Sequence, residues 1–259
     1  MPPPPSWQSS VPIYRLLWSQ IFDGKQPTLV IAADSDFALV QDLDHRSMGL
    51  QEYIERSFIP RQDQPGSQAA RLIAGRQYTS FADLNILTRI LQIHPRFAQL
   101  TQIRFARYAE LRDFRNRNAI LLGSPRGNPW TELFEGRLNF LARYDPATGQ
   151  VYFHNVAPRP GEPQRFARNE ADGQDYATVA LLRNLGNTGW VLILSGLTSH
   201  GTEAAGEAVI RPDLCWKLLQ AAGLSPKGAL APFEVLLRVK AVAGGPSDIA
   251  IVACRRPRT

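Results

Sequence analysis

Three polar segments hold the side chains that are best placed to bind a ligand, and each follows a short apolar run. The runs are TLVIAA (28–33), AILL (119–122) and WVLILS (190–195). Near-continuous apolar runs of about six residues are typical of central strands in a parallel sheet. Open α/β sheets bind ligands at the carboxyl ends of such strands. The sequence therefore predicts one crevice lined by residues of all three segments: Asp34, Ser35, Ser124, Arg126, Asn128, Trp130, Ser199, His200, Thr202 and Glu203.

The segment GSPRGNPW (123–130) gives the most detailed local prediction. Asn128 suits the N-cap of a helix, and Pro129 suits the first helical position. A helix N-terminus favours an anion, and Arg126 could hold a carboxylate or phosphate in bidentate fashion. The alternatives are a surface loop position for Arg126 and, more strongly favoured, packing against the sheet for Trp130. A small polar or anionic ligand is expected here.

The acidic residues after the first run have two interpretations. Asp34 could accept hydrogen bonds from ligand hydroxyl groups, or Ser35 or Asp36 could simply cap the next helix, which is the preferred role for Asp36. In an enzyme, Asp34 and Glu203 could act as acid/base or nucleophile on a nucleoside-like substrate.

A serine hydrolase is the weaker form of the enzyme alternative. His200 could act with Ser35 or Ser124 and an aspartate, but neither serine lies in a GxSxG elbow. The chain contains no GxGxxG, GxxxxGK[ST], HxH, HExxH or CxxC motif. We therefore expect no cofactor and no metal. Cys215 and Cys254 are expected to be separate buried thiols rather than a disulfide.

Composition predicts a globular chain with a basic surface. The 259 residues are 44% hydrophobic and carry a formal charge of +6, mostly from arginine. A cluster spanning residues 104–117 could track phosphates, but its apolar neighbours favour a solvated helix face with local acidic partners. No specific nucleic-acid binding is expected. No apolar run approaches the roughly 20 residues that span a bilayer, and no signal peptide is recognisable, so the chain as given is expected to be soluble.

The pattern predicts a Rossmann-like α/β fold, with a central parallel or mixed sheet, helices on both faces and an antiparallel β extension. Residues 1–12 read as a disordered proline-rich linker and 13–259 as one domain. The alternative is two interleaved lobes, 13–100 plus 190–259, and 101–189. Helices are predicted at 13–22, 81–93, 204–209 and 213–222, with two short helices after 34, and a Ser80–Asp83 capping box begins the helix at 81–93. Further strands are predicted at 103–106, 138–144, 151–156, 176–182, 233–242 and 248–254.

Four segments together resemble the C-terminal domain of an uncharacterised bacterial family of regulatory proteins. They are ADSD with LQEYI (33–36, 50–54), YTSFADL (78–84), NAILLGSPRGNPWTELFEGRLNF (118–140) and GLTSHGTEAAGEA (196–208). In that family a winged-helix DNA-binding domain, often with a single transmembrane helix, precedes this domain. The resemblance implies an output domain or membrane span outside this chain, and no known activity. It also implies an extracytoplasmic location for an excised part of a membrane-anchored regulator, and otherwise a cytoplasmic one.

The resulting expectation is a sensor domain that binds a small polar or anionic molecule and passes the signal to an attached output domain. Two alternatives remain open. One is the hydrolase or transferase described above, and the other is a ligand-free interaction module that forms a homodimer through its β-rich part.

Overall fold

Helices and strands are interspersed along the first half of the chain, and five strands then follow in succession. In the computed structural model, residues 12–61, 67–225, 228–242 and 245–258 are described. Their strands are β1 (Thr28–Ala32), β2 (Thr101–Phe105), β3 (Ala119–Leu122), β4 (Phe140–Asp145), β5 (Gln150–Asn155), β6 (Arg165–Ala167), β7 (Gln174–Arg183), β8 (Trp190–Gly196), β9 (Phe233–Val242) and β10 (Gly245–Arg255). Their helices are α1 (Pro12–Ile21), α2 (Ser35–Leu43), α3 (Leu50–Ile54), α4 (Gln68–Ala74), α5 (Phe81–Ile93), α6 (Asp113–Asn116), α7 (Glu132–Glu135), α8 (Ser199–Ile210) and α9 (Pro212–Ala221).

A seven-stranded mixed sheet organises the molecule, in the order β10-β9-β7-β8-β3-β1-β2. Strands β8, β3, β1 and β2 are mutually parallel, whereas β7 pairs with β8, β9 with β7 and β10 with β9 in antiparallel fashion. A second, three-stranded antiparallel sheet has the order β4-β5-β6. The predicted α/β class, with a mixed sheet and an antiparallel extension, is confirmed. Both alternative lobes contribute strands to the large sheet, and the division into domains stays a prediction.

Alternating side chains of the central strands pack into two separate hydrophobic cores, one on each face of the large sheet. Val30 of β1 packs on one face of the sheet with apolar residues of α1, α5, α8 and α9. Leu29 and Ile31 pack on the other face with residues of α2, α3, α4, α6 and α7. A third cluster, including Phe140 and Phe153, lies beneath the small sheet. The central strands are buried on both faces, which is why their sequences are continuously apolar.

Several predicted elements differ from the observed ones in ways that matter for the site. Helix α8 begins at Ser199, so four predicted loop residues lie in its first turns. Residues 129–131 form a 3₁₀ turn, and α7 after it has only four residues. The arginine-rich segment is not a helix face, because it comprises β2, a 3₁₀ turn and the four-residue α6. Of the predicted linker, residues 1–11 lie outside the described part of the chain.

Three smaller expectations can be compared with the structure. The Ser80 side chain accepts from the Asp83 N–H at 3.1 Å, as predicted for the start of α5. Cys215 and Cys254 are both free, the first buried and the second half-buried. Within the described ranges, no helix is long and apolar enough to cross a membrane.

Candidate functional site

The parallel half of the sheet brings four strand ends to one edge. The last paired residues are Ala32 with Phe105 across β1 and β2, and Leu122 with Leu194 across β3 and β8. Since these strands are parallel, the segments that follow them leave the same edge of the sheet. The predicted residues after β1, β3 and β8 therefore share the carboxyl edge, as the sequence implied.

The segments after β1 and β3 close tightly on one another. The Asp34 N–H donates to the Gly127 carbonyl at 2.7 Å. Gly123 has φ +95°, and a Cβ there would lie 3.1 Å from the Cβ of Ala33. Only glycine meets both the left-handed backbone and this close approach. The loop therefore covers the end of β1 instead of standing away from it.

Asp34 is fully buried and has both carboxylate oxygens occupied. Its Oδ1 accepts from the Phe37 N–H at 3.1 Å, so Asp34 is the N-cap of α2. Arg107 donates from Nε to Oδ2 at 2.8 Å and from Nη2 to Oδ1 at 2.9 Å, and the Tyr53 hydroxyl donates to Oδ2 at 2.9 Å. The capping alternative is thus correct, but the cap is Asp34 and not Ser35 or Asp36.

Asp36 lies beside this network, in the first turn of α2. Its Oδ2 accepts from the Tyr78 N–H at 3.3 Å and from Arg107 Nη2 at 3.4 Å. Its Oδ1 is buried without a hydrogen-bond partner. Burial raises the pKa of the Asp36 carboxyl above its ordinary value, and the nearby Asp34 charge adds to this while the Tyr78 N–H opposes it. Asp36 is accordingly a buried acid with one vacant acceptor.

Arg126 is neither a surface arginine nor a free one. It is only 9% exposed, and its Nη2 donates to Oδ1 of Asp42 near the end of α2. Its guanidinium carbon lies 4.6 Å from the centre of the Tyr144 ring, and its carbonyl accepts from Gln41 Nε2 at 2.8 Å. Its Nη1 is buried without a partner. The Arg126 charge is therefore paired with Asp42, while Nη1 of its guanidinium group has no hydrogen-bond partner.

Asn128 occupies the N-cap position before the 3₁₀ turn Pro129–Thr131, as predicted, but the prediction that its side chain caps the turn is wrong. Its side chain turns back to the sheet, where Nδ2 donates to the carbonyls of Leu122 at 2.9 Å and Ile31 at 3.3 Å. It thus bridges the ends of β3 and β1, and its Oδ1 is buried without a partner. Trp130 is buried, packs on Phe114 with ring centres 5.2 Å apart, and donates to the Ala106 carbonyl.

The start of α8 forms the third part of the edge. Thr198 is its N-cap, because its hydroxyl accepts from the Gly201 N–H, and the same hydroxyl donates to Asp175. Ser199 and His200 are exposed on the first turn. A cleft of about 150 Å³ lies beside this helix start, between Thr198 and Leu197 on one side and the β4–β5 turn with Arg168 on the other.

Two predicted residues of α8 serve the internal structure. The Thr202 hydroxyl accepts from the Gly196 N–H at 3.1 Å and donates to the Thr198 carbonyl at 3.2 Å. Glu203 accepts from Asn85 Nδ2 of the neighbouring α5. Thr202 thus fastens the end of β8 to α8, and Glu203 joins two helices.

Arg107 and Tyr53 were missed by sequence reasoning. Arg107 comes two residues after β2, a fourth parallel strand whose carboxyl end lies at the same edge. That position was a usable signal for Arg107. Tyr53 gave none, because it reaches Asp34 from α3 only through tertiary folding.

Neither a metal centre nor a relative with known chemistry extends these assignments. Within the described ranges, no three His, Cys, Asp or Glu side chains are grouped so that they could hold a metal ion. No family model, no curated protein and no solved structure matches the chain.

Proposed function

We propose that this chain is a ligand-sensing domain of a bacterial signalling or transcription-regulatory protein. The ligand is a small polar or anionic molecule bound where the segments after β1 and β3 meet. In this sheet the connection from β1 leads to β2 on one side, whereas the connection from β3 leads towards β8 on the other. The β1/β3 boundary is therefore the topological switch point at which open α/β sheets bind ligands.

One observation carries the proposal. Asp36 Oδ1, Arg126 Nη1 and Asn128 Oδ1 are buried side-chain atoms without a hydrogen-bond partner. They make up three of the five such atoms among the described residues, and all lie in the segments that follow β1 and β3. A buried polar atom without a partner costs about 1 to 3 kcal/mol, so native proteins rarely leave one unsatisfied. The proposed ligand would supply the missing partners.

The Arg126–Asp42 pair supplies the second state that sensing requires. Asp42 has a side chain that is 64% exposed, whereas that of Arg126 is 10% exposed. The exposed Asp42 carboxylate keeps much of its hydration, so it holds the Arg126 guanidinium less strongly than a buried counter-charge would. An anionic ligand can therefore replace Asp42 on the Arg126 fork, and the loss of this link between α2 and the loop after β3 is the signal. Ligand and Asp42 then compete for one guanidinium, which gives the two states different ligand affinities.

The test is a thermal-shift screen of nucleotides, sugar phosphates and carboxylates with matched variants. A ligand that binds only the native state stabilises it by RT ln(1 + [L]/Kd). Asp42→Asn removes the competitor, so a hit should bind more tightly, by about fivefold for each 1 kcal/mol that the pair contributes. Asp44→Asn is the control, because Asp44 is a similarly placed acid whose partner is Arg46. Arg126→Ala should weaken the same hit about tenfold or more.

The alternatives predict other outcomes. Turnover of a hit that disappears in Asp34→Asn would favour the enzyme. A full screen without any stabilising compound, together with a dimer in solution, would favour the interaction module. The resemblance to the C-terminal domain of winged-helix regulators supports the sensor, because such a domain is attached to an output domain.

A further inference from the structure

A depression rich in arginine lies beside the amino ends of β1 and β3, and it shares no residue with the carboxyl-edge site. Its volume is about 430 Å³. It is lined by Gln26, Arg104, Arg112, Asp113, Asn116 and Arg117. The depression is open to solvent rather than an enclosed cavity.

The lining carries more positive than negative charge, with three guanidinium groups facing one carboxylate. That carboxylate, Asp113, is already engaged by Arg104 and by the Glu110 N–H at 2.9 Å. Among the described residues, Arg117 donates only to neutral oxygens, the Pro27 carbonyl at 3.1 Å and Gln102 Oε1 at 2.7 Å. The charge of Arg117 therefore remains available to a ligand.

Two further features of this depression favour the binding of an anion. Arg117 Nε is buried without a hydrogen-bond partner, which leaves a desolvated donor in the wall of the depression. The partner of Arg112 is Glu110, in a pair whose side chains are 78% and 53% exposed. Such a surface pair is worth about 0 to 1 kcal/mol, so Arg112 can leave Glu110 for a stronger acceptor.

We propose that this depression binds the phosphate group of a small phosphorylated molecule. Planar guanidinium forks match phosphate oxygens and hold them by paired charge-assisted hydrogen bonds. The amides of Gln26 and Asn116 supply neutral donors at the rim. The arginine cluster that is evident in the sequence thus includes a defined anion site at its Arg104, Arg112 and Arg117 positions.

Isothermal titration of the full chain with inorganic pyrophosphate tests the site directly. Each of Arg112→Gln and Arg117→Gln should weaken binding about tenfold or more, the usual effect of one lost charge-assisted bond. Arg211→Gln is the matched control, because Arg211 is exposed and pairs with an acid two residues away, as Arg112 does. Binding should be unchanged in this control. If Arg117→Gln fails to fold, the exposed Arg112 still decides the test.

The result that overturns the proposal is an absence of pyrophosphate binding, or equal weakening in all three variants, which would indicate net charge alone. Competition identifies the source of the phosphate. Ribose 5-phosphate should displace pyrophosphate, whereas malonate, a dianion without phosphate, should not. A DNA duplex is the second competitor. If it displaces pyrophosphate at a lower phosphate concentration than ribose 5-phosphate does, the surface binds nucleic acid and the small-molecule assignment is overturned.

Discussion

Arg107 holds Asp34 through two parallel hydrogen bonds, Nε to Oδ2 at 2.8 Å and Nη2 to Oδ1 at 2.9 Å, although 73 residues separate them in the chain. The Arg107 side chain is 9% exposed and that of Asp34 is fully buried. Arg107 also donates to the carbonyls of Ala74 and Arg76. One guanidinium thus ties the ends of β1 and β2 to the end of α4.

Arg107→Met is expected to lower the free energy of unfolding by about 3 to 5 kcal/mol, because it leaves the buried Asp34 carboxylate without its counter-charge. Urea unfolding measures the loss. Arg112→Met, which removes an exposed arginine from the same segment, should change stability by about 0.5 kcal/mol or less. The double variant Asp34→Asn, Arg107→Met should recover part of the loss. A cost below about 1 kcal/mol for Arg107→Met would contradict a structural role for the pair.

Asn128 provides a comparison between two substitutions. An N-cap tolerates aspartate as well as asparagine, but a side chain that donates to two carbonyls does not. We expect Asn128→Ala to cost about 1 to 3 kcal/mol, since the carbonyls of Ile31 and Leu122 lose a donor. Asn128→Asp should cost more, because a carboxylate would face both carbonyls. Guanidinium chloride unfolding of the two variants decides the matter, and wild-type stability in Asn128→Asp would restore the capping role.

Glu234 should make stability depend on pH. It lies on β9, and its carboxylate accepts from the N–H groups of Asn139 at 2.7 Å and Phe140 at 2.9 Å. Burial raises the pKa of Glu234 from 4.5 to about 7, against the opposing effect of these bonds and of the Arg255 and Arg258 charges. Between these values the folded state holds a proton that the unfolded state has lost. The contribution of Glu234 to stability is therefore fully present below pH 4.5 and is lost as pH rises towards 7, by about 3 kcal/mol in total.

Urea unfolding across this pH range, with Glu234→Gln beside the wild type, measures the effect. The variant should show a smaller slope than the wild type, because its amide does not titrate. It will also carry a penalty independent of pH, since one N–H group would face the new amide N–H₂. Glu110→Gln, at an exposed site, should keep the wild-type slope. An identical slope in Glu234→Gln and the wild type would show that this carboxyl does not titrate in the range.

Gly206 allows α8 to lie directly against α5. A Cβ at this position would lie 2.5 Å from Cγ1 of Ile86. Helix propensity alone would make Gly206→Ala stabilising by about 1 kcal/mol. Overpacking costs about 1 to 3 kcal/mol, so we expect a net loss in thermal and urea unfolding. Combining it with Ile86→Ala should cost less than the sum of the two single changes, whereas strict additivity would mean that the two sites do not touch.

The central strands could be predicted from the sequence, because burial on both faces leaves a direct trace in it. Val30, Ile120 and Leu192 belong to continuous apolar runs that the structure shows as β1, β3 and β8. The carboxyl edge followed from the same reasoning, since strands of this type are parallel. The continuous apolar pattern specifies that each of these strands is buried on both faces of the sheet.

The partners of the polar residues could not be predicted in the same way. Whether Arg126 is free or paired depends on Asp42, which approaches it only when α2 packs against the loop after β3. Asn128 has the sequence context of a cap, yet the tight closure of its loop on β1 directs its amide to two strand ends. Tertiary packing outweighs the local preference at both positions.

The contact between α5 and α8 has a mechanical consequence. Besides Gly206 and Ile86, the pair is joined by Asn85 with Glu203 and by Arg89 with Glu207. These contacts keep the same order along both helices, so the helices run side by side from the carboxyl edge. They therefore share any displacement that begins at their first turns. A displacement of this kind would reach α9, which follows α8 directly at Pro212.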